Sequence, residues 1–190
     1  MRRVSLDPAD QLNYLNIEHL DPQNQLTDEA ATDSSNLLGV CPGNRSSTEN
    51  AKKTCDAYRG ILEEDQQTMR LNPLDEAQMD TIFYQRNGEI GSTDTELNKE
   101  LSDKLNLNSE AAYLPQNRET AYSQLVRFLK AKKPIGEWSK PFLQQAWRLF
   151  CTPDKTGAYR EYVGVYEYWL KHWMKKLSLI HISEPTRRRG

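Results

Sequence analysis

From Thr93 to Lys176 the apolar residues recur every three to four positions, in runs that each open on a cap or a proline. That period marks helices with one buried face. Thr93-x-x-Glu96 reads as a capping box with Leu97, Leu101 and Leu105 behind it. Pro115 opens a second run, carrying Tyr122, Leu125, Val126 and Leu129. Ser139-Lys140-Pro141 opens a third, with Phe142, Ala146, Leu149 and Phe150 on one side, and Pro153 ends it. A last helix is expected from about Ala158 to Lys176, with Tyr159, Tyr162, Tyr166, Trp169 and Trp173 along its face. Aromatic residues at this spacing indicate a core or a partner interface before they indicate base stacking.

The chain before Thr93 is shorter-grained. Residues 2–6 and 14–20 read as two strands of a hairpin, joined by the turn-rich Asp7-Pro8-Ala9-Asp10. Asp33, Ser34 or Ser35 can cap a short helix through Asn36-Leu37-Leu38. A second helix is expected over residues 49–58, with Gly60 as its stop. Asn72-Pro73 is a break, and Arg86-Asn87-Gly88 between Thr81–Tyr84 and Glu89-Ile90 is a hairpin signal. The expected fold class is α+β. A small module at residues 1–62 is followed by a connector with a hairpin at 63–92 and a helical domain at 93–176.

Residues 177–190 are read as a non-native tail. Leu177-Ser178-Leu179-Ile180-His181-Ile182-Ser183-Glu184-Pro185-Thr186-Arg187 resembles a translated sequencing adapter. The whole chain has 27 acidic and 25 basic residues; without the tail 26 and 22 remain, a net of −4. That balance excludes a bulk basic DNA-coating protein but not a local basic surface. Three cysteines are too few, and odd in number, for a disulfide framework. No apolar run approaches the ~18 residues of a bilayer span. Met1-Arg2-Arg3-Val4 leads into no apolar signal core. A cytoplasmic location is expected.

The chemistry-bearing residues concentrate in the first module. Ile17-Glu18-His19 ends an expected strand, placing a carboxylate and an imidazole side by side in sequence. A carboxylate suits a hard divalent cation, and a neutral imidazole can take a proton from water. Asn36 follows seventeen residues later, and Cys41, Cys55, Asp56 and Arg59 complete the set. Together such groups can make a one-metal phosphodiester-cleaving site. Each has an ordinary structural reading as well. A strand-end histidine is commonly a hydrogen-bonded structural residue, Asn36 a helix-start residue, and single cysteines buried apolar residues. Cys151, behind Leu149-Phe150, is expected in the core.

This ordering resembles the HNH nuclease superfamily and, within it, the PtuB-like subgroup of Septu-type and retron-associated anti-phage nucleases. The resemblance rests on Ile17-Glu18-His19 with Pro22, Asn36-Leu37-Leu38 with Cys41, and Cys55-Asp56 with Arg59-Gly60. It continues through Leu71-Asn72-Pro73, Gly88-Glu89-Ile90, Leu105-Asn106-Leu107-Asn108 and Arg118, over about residues 1–130. It implies a truncated ββα-metal module followed by a mainly α-helical part. It also implies a metal-dependent endonuclease acting on DNA, with RNA as the alternative substrate. His19 would be the general base, Asn36 the positioning residue, Glu18 and Asp56 ligands of a magnesium or manganese ion, and Arg59 a phosphate contact. Cys41 and Cys55 would be half of a structural zinc site. In the subgroup a Cys-x-x-Cys before the His completes it, so Met1 is read as an internal methionine. The implied partner is an ABC- or SMC-like ATPase in a bacterial cytoplasm, docking on the helical part after residue 90. No His stands near Cys55, which leaves open a degenerate, non-catalytic zinc-held adaptor.

Overall fold

A computed structural model describes residues 16–19, 27–29 and 33–183. The expected strand at residues 2–6 and the end of the tail lie outside the described residues. Described residues up to Asn117 form one compact unit and those from Arg118 onwards another. The architecture is mixed α+β, with two two-stranded sheets among the described residues.

In the first unit β1 (Asn16–His19) pairs antiparallel with β2 (Leu37–Val40), with His19 opposite Leu37 and Asn16 opposite Val40. A single 3-10 turn, Ser34–Asn36, leads into β2. The short helix expected through Asn36-Leu37-Leu38 is therefore a turn and a strand. Leu37-Leu38-Gly39-Val40 contains a glycine and a β-branched residue, both poor in helices. Pairing with β1 satisfies the same backbone at once.

The helix expected over residues 49–58 is also divided. A 3-10 turn, Asn50–Lys52, gives way to extended Lys53, and only α1 (Asp56–Arg59) is α-helical, ending at Gly60 as expected. Non-local bonds break it. The Thr54 N–H donates to the Gly43 carbonyl and the Cys55 N–H to the Leu105 carbonyl, each at 2.8 Å. These are N–H groups that a continuous helix would turn inward on itself.

Next come α2 (Glu76–Met79), capped by Asp75, and the expected hairpin of β3 (Ile82–Tyr84) and β4 (Ile90–Ser92). Gly88 takes the left-handed turn position, φ 83°. Helix α3 (Thr95–Lys99) continues as a wider π-helical turn, Glu100–Lys104. Its cap is Asp94 rather than Thr93: the Asp94 carboxylate accepts from the Glu96 and Leu97 N–H groups. Leu97 and Leu101 face inward with Leu71, and Met79, Ile82, Ile90, Leu105 and Leu107 pack around them. Each fully buried leucine contributes about 1.5–3 kcal/mol. Glu100, 6% exposed, accepts from the Arg70 and Leu71 N–H groups and pairs with Lys104.

The second unit takes in most of α4 (Leu114–Lys132), then α5 (Lys140–Cys151) and α6 (Val163–Ser183). Leu125, Leu129, Leu143, Ala146, Phe150, Cys151, Val165, Tyr166, Trp169 and Leu170 are buried. Aromatic rings interlock, Phe150 lying 5.1 Å from Phe128 and 5.0 Å from Tyr166. Leu149, expected on the inner side of α5, is exposed, and Leu143 takes its place. The last helix starts later than expected, because Tyr162 is left-handed at φ 57° and cannot continue a helix from Ala158. Tyr159 is accordingly exposed, whereas Tyr166 and Trp169 are core residues.

Candidate functional site

His19 closes β1, half-buried, and its carbonyl is the anchor of a charged cluster. One Arg59 nitrogen, Nη2, donates to the His19 carbonyl at 2.8 Å and to Asp56 Oδ1 at 3.0 Å. The other Asp56 oxygen accepts from Arg45 at 2.9 Å. Strand end, helix and the loop carrying Arg45 are thereby joined through three side chains. Asn36 stands one residue before Leu37, the register partner of His19, so the turn that presents Asn36 lies beside the His19 end of β1.

Arg59 is only 8% exposed and engaged inside the unit. The solvent-facing cation is Arg45, whose side chain is 57% exposed. Both Asp56 oxygens carry guanidinium hydrogen bonds, so a hard cation would find one of them open only after Arg45 leaves. An exposed ion pair of that kind is worth about 0–1 kcal/mol, so the exchange is inexpensive on the Arg45 side. Glu18 lies opposite Leu38 in the strand register. Among the described residues no three His, Cys, Asp or Glu side chains are gathered as a metal site.

Cys41 and Cys55 do come together. Their sulfurs lie 3.5 Å apart, across fourteen residues of chain. A disulfide would need about 2.05 Å. Two thiolates on tetrahedral zinc, each about 2.3 Å from the metal, stand about 3.8 Å apart, slightly more than this thiol–thiol hydrogen bond. Hydrogen bonding to Cys41 and then burial push the Cys55 thiol well above the usual thiol range. A coordinated metal reverses that preference by deprotonating the thiol.

The approach has a backbone cause. Gly43 and Asn44 are both left-handed, φ 58°, and fold the chain after Cys41 back towards Thr54. A Cβ on Gly43 would stand 2.1 Å from the Thr54 carbonyl oxygen, so only glycine allows the contact. Cys55 itself has a positive φ (φ 54°, ψ −138°), an extended positive-φ conformation that glycine favours and that costs about 1–3 kcal/mol in another residue.

Sequence reasoning missed Arg45, Asn44 and Ser109 altogether. No spacing rule ties Arg45 to Asp56, eleven residues on, and the carbonyl partners of Asn44 and Ser109 have no sequence signature. Asn106 had a signal, the Leu-Asn-Leu-Asn run, but not a role. No family model matches the chain, and no curated protein matches it.

Proposed function

We propose that the chain is an HNH-type endonuclease that hydrolyses nucleic acid phosphodiester bonds, with DNA as its first substrate class. The setting we propose is anti-phage defence beside an ABC- or SMC-like ATPase. One observation carries the reading: a strand ending in His19 pairs with a strand that begins just after Asn36, and the next short helix is tied back to the His19 carbonyl by Arg59. The resemblance runs strand, His, loop, Asn, helix, ligand; here a strand follows Asn36, and the short helix comes later, at Asp56–Arg59. The Cys41–Cys55 approach at 3.5 Å, which brings two thiols within reach of one metal ion, adds to the reading.

In this reading His19 takes the proton of the attacking water. Asn36 orients the strand end, and Arg59 holds the His19 backbone from the interior. Arg45, released from Asp56, is the cation that meets the phosphate. Glu18 and Asp56 would hold the divalent ion, which supplies charge stabilisation at the phosphate and the leaving oxygen.

The test is nicking of supercoiled plasmid in magnesium or manganese, with a structured RNA in parallel and with the ATPase present. Metal-dependent cleavage that His19→Ala abolishes supports the reading; cleavage that persists in His19→Ala overturns it. The second reading is a non-catalytic zinc-held adaptor, favoured by the double arginine engagement of Asp56. Zinc binding without cleavage of either nucleic acid would establish it.

A further inference from the structure

Three consecutive carbonyls lead into Cys55, and side chains hold all three. The Asn106 amide donates to the Ala51 carbonyl at 3.2 Å and to the Lys53 carbonyl at 2.8 Å. Ser109 Oγ donates to the Ala51 carbonyl at 2.6 Å, and the Asn44 amide to the Lys52 carbonyl at 2.8 Å. The backbone beside Asn106 completes the clamp, since the Leu105 carbonyl accepts the Cys55 N–H at 2.8 Å. Asn106 is left-handed, φ 49°, which turns its short amide back over the loop. Asn44 belongs to the turn that follows Cys41, so the same carbonyl row is held from the Cys41 side as well.

We propose that Asn106 is the positioning residue of the thiol pair: by clamping the Ala51 and Lys53 carbonyls it holds Cys55 in its positive-φ conformation and its sulfur against Cys41. The consequence for a metal is direct. An unclamped loop would relax Cys55 out of its strained conformation and lose the sulfur-to-sulfur approach. Hydrogen bonds of this outer kind around metal ligands are typically worth about 10–100-fold in metal affinity. This inference rests on Cys41 and Cys55 being metal ligands in the proposed function, and its test separates the two.

The variant is Asn106→Gly in the full chain, which keeps the left-handed backbone free of strain and removes only the amide. Two probes are used. Cobalt(II) reports thiolate coordination through its sulfur-to-cobalt charge-transfer band. Phenylarsine oxide reports sulfur proximity alone. Its arsenic–oxygen bond is exchanged for two arsenic–sulfur bonds, and the two thiol protons leave with the oxygen as water. Lone Cys151 cannot form that bridge.

Cobalt affinity falling about 10–100-fold in Asn106→Gly, with slower arsenical bridging, is the expected result. Unchanged bridging in Asn106→Gly overturns the positioning role. Absence of the cobalt band in the unaltered chain, with bridging still slowed by the variant, overturns the ligand reading and leaves the positioning role standing. Should Asn106→Gly fail to fold, Asn106→Asp decides by the same readouts: it keeps the left-handed preference but turns an acceptor towards the two carbonyls. Ser109→Ala is expected to leave both probes unchanged, because Asn106 still holds the Ala51 carbonyl.

Discussion

Replacing Arg59 with methionine tests whether one buried guanidinium joins β1 to α1. Methionine keeps the packing volume of the stem and removes every donor. The His19 carbonyl then loses the donor that holds it at 2.8 Å, at a cost of about 1–3 kcal/mol for a desolvated acceptor. Asp56 loses a charge-assisted bond at 3.0 Å. It keeps Arg45 on its other oxygen, so that loss lies at the low end of the range of about 1.5–3 kcal/mol. The sum is about 3 kcal/mol, or more than about a hundredfold in the local opening equilibrium. Backbone amide exchange of β2 reads it directly, because β1 is the strand partner of β2 among the described residues. Arg59→Lys should fall between the two, since one ammonium can keep one acceptor but lacks the fork. Exchange in Arg59→Met within about fivefold of the unaltered chain, a difference of about 1 kcal/mol, would refute the linkage.

Other outcomes follow from the same contacts. Glu100→Ala leaves the Arg70 and Leu71 N–H groups without their acceptor, and should cost about 2–5 kcal/mol in urea unfolding; a loss under about 1 kcal/mol would show that the carboxylate is not structural. Leu129→Ala, at a fully buried site, should cost the second unit about 2–5 kcal/mol, read from the loss of tryptophan fluorescence change on unfolding. Gly43→Ala forces the Cys41 turn away from the Thr54 carbonyl, so bridging of Cys41 and Cys55 by a trivalent arsenical should nearly vanish; bridging at the normal rate would mean that the turn does not set the sulfur distance. Burial pushes the Cys151 thiol up to about 12 from an ordinary value of 9.0. Its neutral form therefore stabilises the second unit fully below about pH 9, and that stability is lost as pH rises towards 12. Cys151→Ala should flatten the fall of the urea midpoint over that window, and an identical slope in the two proteins would count against it.

What was legible in the sequence was what local chemistry carries. The hairpin at Arg86-Asn87-Gly88 is written in a left-handed turn position, and the three long helices in their apolar period, two of them also in an opening proline. The burial of Leu97, Leu101, Leu125 and Leu129 follows from that period. Cys151 is buried for the same reason. The phase of α5 is less secure, since Leu143 and Leu149 both suit an apolar face and only packing chooses Leu143.

The first module was decided by partners far apart in the chain. Asn36-Leu37-Leu38 could start a helix on local signals, but pairing with β1 makes it a turn and a strand. The stretch before Cys55 could run as one helix, but the Gly43 and Leu105 carbonyls take its N–H groups. Arg59, Asp56 and Arg45 are charged residues that any surface would accept, and burial against the His19 carbonyl is a tertiary choice. Residue pattern alone was enough for the three long helices and the β3–β4 hairpin, because capping, turn residues and apolar period act over a few neighbouring residues. Only the tertiary structure decided which carbonyl each side chain satisfies and that two sulfurs fourteen residues apart meet, because a buried polar group takes whichever partner the fold brings within reach.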